Sequence, residues 1–152
     1  MATYNVYMCQ YSRERYHHYE GETTRHHEIV VVTSTGKGSK KGTAFHVSGA
    51  PGSWKFEVVP ETQFMNMSYC GRLALGTIPG TKSALDGLEC FLRTVPIGNN
   101  DPRFNCQRWV WDAAVRMRDY GYHVDPPATF QEYLSKMHTK AYADWNACTD
   151  SD

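Results

Sequence analysis

A chain of 152 residues with 41% apolar and 13% aromatic side chains has the size and composition of one folded domain, which excludes a disordered or low-complexity protein. Sixteen basic side chains balance sixteen acidic ones, so no net field draws the molecule to nucleic acid or to an anionic membrane. No stretch approaches the ~18 apolar residues of a spanning helix, and the start MATYNVYMCQ lacks a basic segment followed by an apolar one. These features predict a soluble, cytoplasmic protein with no nucleic-acid partner and no membrane span. No repeat or linker divides residues 1–152, so a single domain is expected, with 146–152 as a frayed tail.

In chain order, residues 4–11 (YNVYMCQY) are rich in β-branched and aromatic types and read as a strand. The polar stretch 12–25 separates them from 27–33 (HEIVVVT), the clearest strand. A connection dense in glycine and lysine, TSTGKGSKKG, leads to the return strand Thr43 to Ser48, TAFHVS. WKFEVV (54–59) and RLALGTI (72–78) read as two further strands, the latter closed by Pro79-Gly80. Helical spacing then takes over: Leu85, Leu88, Leu92 and Val95 define a helix over 83–95, ended by Pro96. A second helix spans 105–120, with Asn105 as N-cap, Gly121 past its end, and a stripe of Cys106, Val110, Ala113, Met117 and Tyr120. The third starts at Thr129, which forms a capping box with Glu132, and carries Phe130, Leu134, Met137, Ala141 and Trp145. Strands first and helices later predict an α+β domain, an antiparallel sheet packed against helices.

The five cysteines, Cys9, Cys70, Cys90, Cys106 and Cys148, are odd in number and widely spaced, which fits neither a disulfide framework nor a zinc site. Most read as small buried hydrophobes. Cys106 lies in the first turn of a helix, where the dipole and unpaired N–H groups favour a thiolate; the plainer alternative is one more buried structural cysteine. Seven histidines accompany it: His17, His18, His26, His27, His46, His123 and His138. The pair His26-His27 opens one strand and His46 lies within the next. If the two strands pair and the helix docks over their end, a nucleophile, a base and an orienting group come together. The His17-His18 and His26-His27 pairs match no common ligand spacing, and GKGSKKG is not a phosphate-binding loop, so neither metal nor cofactor is expected. Lys37, Lys40 and Lys41 read as a hairpin tip, Trp109, Trp111 and Trp145 as core or interface, and Arg108–Asp112 as a surface pair.

The order HHEIVV, GTAFHV, WKFE and FNCQRWVWDA resembles the circularly permuted papain-like (NlpC-type) thiol hydrolases and acyltransferases. That superfamily includes lecithin:retinol acyltransferase-like proteins and PPPDE-type peptidases. The frame is most similar to small fungal proteins of this type, over about residues 4–120. The resemblance implies a permuted papain-like core with Cys106 as nucleophile and His46 as the second, orienting residue. Aligned with the family's His-Trp-Ala strand, His26 takes the position of the base, and Glu28 then shares its face. Burying an unpaired carboxylate there is costly, whereas His27 as base would put Ile29 and Val31 on the core face and turn Glu28 outward. The two registers disagree; on physical grounds the base is placed at His27, with His26 as the alternative. The Cys106 backbone N–H is expected in the oxyanion hole, with Tyr7 or Tyr11 as possible helpers. The implied activity is a cysteine-dependent hydrolase or acyl/amide transferase working through a thioester on a small-molecule, lipid or peptide substrate. The alternative is a non-catalytic peptide- or ligand-binding module on the same fold.

Overall fold

The structure, a computed structural model, describes residues 2–12, 25–34, 41–65 and 68–144. Strands β1 (Thr3–Tyr11), β2 (His26–Val32), β3 (Lys41–Ser48), β4 (Lys55–Gln63) and β5 (Tyr69–Pro79) precede helices α1 (Lys82–Leu92) and α2 (Cys106–Tyr120). A two-residue strand β6 (His123–Val124) and helix α3 (Phe130–Asp144) follow. The six strands form one antiparallel sheet in the order β4-β3-β2-β1-β5-β6. This is the α+β architecture expected from the sequence, and among the described residues no helix is long and apolar enough to cross a membrane.

Strand alternation divides the side chains between two faces. Val6, Met8, Ile29, Val31, Phe45 and Val47 face the helices, where they pack with Leu88, Leu92, Trp109, Val110, Met117 and Tyr133 in the main core. Tyr7, Cys9, Tyr11, Val30 and Ala44 point the other way and are covered by Phe64, just past β4, and Tyr69, the first residue of β5. The run Ile29 to Val32 is apolar throughout because β2 is covered on both faces.

Several elements differ in extent from the sequence reading. β4 continues through Pro60 to Gln63, which an edge strand tolerates because its outward N–H groups have no ladder partner. α1 starts behind Thr81, whose hydroxyl accepts from the Ala84 N–H, and ends at Leu92 rather than Val95. The Phe91 carbonyl is taken by the Thr94 amide and hydroxyl, which turns the chain before Pro96. α2 keeps its expected caps: Asn105 Oδ1 accepts from the Arg108 N–H at 2.9 Å, and Gly121 has φ of +113°. Tyr120, assigned to the apolar stripe, is 74% exposed; Trp109 and Ala114 are buried there instead. On α3, Thr129 Oγ1 accepts from the Glu132 N–H, and the Glu132 carboxylate returns to the Ala128 N–H instead of that of Thr129. Among the described side chains of α3, Tyr133 and Met137 are buried and Phe130 and Leu134 half-buried; the side chain of Ala141, and Trp145 altogether, lie outside what is described. Arg108 and Asp112 form the expected surface pair at 3.1 Å.

Candidate active site

Helix α2 begins where β2 begins. The Gln107 side-chain amide donates to the Arg25 carbonyl at 3.0 Å, and the Cys106 thiol points at the same oxygen at 3.9 Å. Asn105 is the N-cap, so Cys106 is the first residue of α2, where helix geometry gives the backbone N–H groups no carbonyl inside the helix. Cys106 is 2% exposed. His26, the residue after Arg25, lies beside the Cys106 sulfur, close enough for the sulfur to raise its pKa.

Around His26 the fold assembles a cluster. Its Nε2 lies 3.1 Å from Glu28 Oε2. The same carboxylate oxygen lies 3.7 Å from His46 Nδ1, and His46 Nε2 lies 3.4 Å from Glu57 Oε1 across the β3–β4 pair. The two imidazoles meet edge to face with centroids 4.7 Å apart. Burial alone lowers the pKa of His26, but the hydrogen bonds and charges of Cys106 and Glu28 outweigh it and raise the value from 6.5 to about 9. Tyr11 lies opposite His26 on β1, their rings 6.4 Å apart, and burial pushes its phenol well above the usual range. A cavity of about 240 Å³ opens on this face, lined by Tyr11, Ser12, His26, Glu28, Thr62 and Ser68 among others. A wider hollow of about 620 Å³, lined by Phe91, Pro96, Trp111 and Arg116, touches none of the cluster.

His27 takes a different part. It is 1% exposed and faces the helices, with Nδ1 2.7 Å from the Tyr133 hydroxyl. Burial, with Cys106 and Cys9 nearby, raises the Tyr133 pKa well above its ordinary value, so the phenol stays protonated and can donate to the ring. The sequence argument for His27 as the thiol's base rested on Glu28 being unpaired on the His26 face. In the structure two imidazoles, one from the next strand, pair that carboxylate, and the ring whose pKa the sulfur raises is His26. His46 meets the His26 ring edge to face and also reaches Glu28, so it bears on the ring that lies beside the sulfur. Of the suggested oxyanion helpers, Tyr7 lies under the Arg72 guanidinium at 4.3 Å and Tyr11 packs against Tyr69 and His26.

The sequence reading gave Glu28 and Glu57 no role. Alternation along WKFE puts Glu57 on the opposite face from Phe56, and the register of β3 with β4 sets it against His46; that pairing was the signal available. His17, His18, Lys37 and Lys40 lie outside the described residues, and Lys41 opens β3 as an exposed residue. The four described cysteines, Cys9, Cys70, Cys90 and Cys106, are all free thiols.

Fold and site together define a small α+β domain with a helix-capped thiol set against a histidine–glutamate cluster. Residues 6–123 match the model of a family of unknown function, DUF6540, and the chain belongs to that family. No curated protein and no solved structure matches the chain.

Proposed function

We propose that this protein is a cysteine-dependent hydrolase or acyl/amide transferase, and the place of Cys106 at the start of α2, beside a His26 imidazole whose pKa the sulfur raises, carries the reading. His26 takes the thiol proton and Cys106 Sγ attacks a carbonyl carbon. The Cys106 N–H stabilises the oxyanion at the helix N-terminus. Collapse forms a thioester and expels an alcohol or amine, which leaves with the proton held by His26. Water or an amine then attacks the thioester with His26 again as base, and the thiol is restored. Glu28 and His46 hold the His26 ring in place. The substrate class is a small-molecule, lipid or peptide acyl or amide compound that enters by the cavity beside Tyr11 and Thr62. A cytoplasmic setting suits this chemistry, since the nucleophile must stay reduced.

The burial of Cys106 favours a second reading, a binding module whose cavity holds a ligand without covalent chemistry. Iodoacetamide labelling near neutral pH separates the two. The enzyme reading expects Cys106 to label faster than a free thiol and to slow about tenfold or more in His26→Gln, because the thiolate is the reactive form. Labelling no faster than a free thiol, or unaffected by His26→Gln, rejects it in favour of the binding module.

A further inference from the structure

We propose that His26, Glu28 and His46 form a binding site for one divalent cation of the zinc class, with Glu57 as the outer carboxylate that orients His46. The inference does not depend on Cys106 being a nucleophile. One donor atom from each of the three residues lies within 4.8 Å of the other two. The Glu28 oxygen is 3.1 Å from His26 Nε2 and 3.7 Å from His46 Nδ1. Zinc bonds of about 2.0–2.1 Å in a tetrahedron set neighbouring donors about 3.3 Å apart, so the measured pair brackets the spacing an ion requires.

The outer shell points the same way. A metal-bound imidazole commonly gives its second nitrogen to a carboxylate, which fixes the tautomer and strengthens the ligand. His46 has that arrangement, with Nδ1 toward the cluster and Nε2 3.4 Å from Glu57 Oε1. Two imidazoles with one carboxylate select a borderline cation such as zinc over magnesium or calcium, which prefer oxygen donors. The donors stand on two paired strands of one sheet, so they are held before an ion arrives. His26 and Glu28 also line the open cavity, which gives an entry path and room for water on the remaining coordination position. His26 and Glu28 share β2 at alternate positions and His46 comes from β3, so local spacing marks only two of the three donors.

The ion takes the nitrogen of His26 that otherwise meets Glu28 and holds the ring against Cys106 as a ligand. Zinc therefore withdraws that imidazole from proton transfer. The test is calorimetric titration of chelator-stripped, full-length protein with Zn²⁺, alongside the visible spectrum of the Co²⁺ form. Wild type is expected to bind one equivalent and to give the intense visible bands of tetrahedral cobalt. Glu28→Gln and His46→Gln are expected to lose that equivalent, and Glu57→Gln to weaken it about tenfold. Cys106→Ser is expected to keep it, which separates this site from the thiol chemistry. Near-ultraviolet circular dichroism checks folding; should His46→Gln misfold, Glu28→Gln and Glu57→Gln decide the question. Absence of a bound equivalent, equal affinity in Glu28→Gln, or loss of binding in Cys106→Ser overturns the proposal.

Discussion

The division of labour between the two adjacent histidines can be measured with a double-mutant cycle on His27 and Tyr133. The Tyr133 hydroxyl and His27 Nδ1 are 2.7 Å apart, and both residues are buried. Tyr133→Phe removes the hydroxyl and deprives a buried ring nitrogen of that contact; His27→Leu does the reverse to the phenol. Each is expected to cost about 1–3 kcal/mol, the range for stranding a buried polar group. The double variant strands neither group, so its loss should fall short of the sum by about 1–2 kcal/mol. With a urea m-value of about 2 kcal/mol/M, each single substitution moves the unfolding midpoint down by about 0.5–1.5 M. Four tryptophans supply the fluorescence signal. Iodoacetamide labelling of Cys106 in the folded variants should stay within about threefold of wild type, because the imidazole that sets thiolate character is His26. Strictly additive losses would refute the pairing. Slow labelling in His27→Leu with an unchanged midpoint would return the role of base to His27.

Asn105→Ala removes the side chain that caps α2; it is expected to lower stability by about 1 kcal/mol and to slow Cys106 labelling as the first turn frays, read by urea unfolding and mass spectrometry. Gly76→Ala would set a Cβ 2.0 Å from the His123 carbonyl oxygen, and since that obstacle is backbone, β6 must leave the sheet. A loss above about 2 kcal/mol is expected, and a near-neutral urea midpoint would contradict the β5–β6 pairing. In metal-free protein, His26 should also make stability depend on pH. Its folded pKa is raised from 6.5 to about 9, so its contribution is complete below pH 6.5 and disappears as pH rises through 9. Relative to His26→Gln, wild type should lose about 3 kcal/mol over that window, and parallel stability curves would exclude the effect.

The parts of the fold that were legible in the sequence are those set by local rules. Asn105 and Gly121 bound α2 because capping chemistry acts within one turn, and alternation marks the strands because each has at least one buried face. β6 was missed because two residues carry no periodicity; its position is fixed by Gly76, whose lack of a side chain lets the His123 backbone approach. The end of α1 was placed too far along because proline sets only an outer limit, whereas Thr94 had already captured the Phe91 carbonyl. At the site, the histidine strands and the helix-capped thiol could be read, but the choice between His26 and His27 turned on the charge of Glu28. That charge is compensated by His46 on another strand and by the neighbouring His26, a contact network set by tertiary structure.

Glu28 is therefore the residue on which the two proposed chemistries meet. Beside His26 alone, a carboxylate at this depth would favour a proton on the ring and support an ion pair with the sulfur. Placed between two imidazoles, the same oxygen also completes a three-donor set. One nitrogen cannot bind zinc and exchange protons with Glu28 at once, so the two states exclude each other at His26. Addition of one equivalent of Zn²⁺ should accordingly slow iodoacetamide labelling of Cys106, and a chelator should restore the original rate. In Glu28→Gln the labelling rate should no longer respond to zinc, because the ion has lost its anchor while the thiol and His26 remain in place. Inhibition that persists in Glu28→Gln would mean that zinc acts on the sulfur itself, leaving the thiol chemistry intact and the three-residue site refuted.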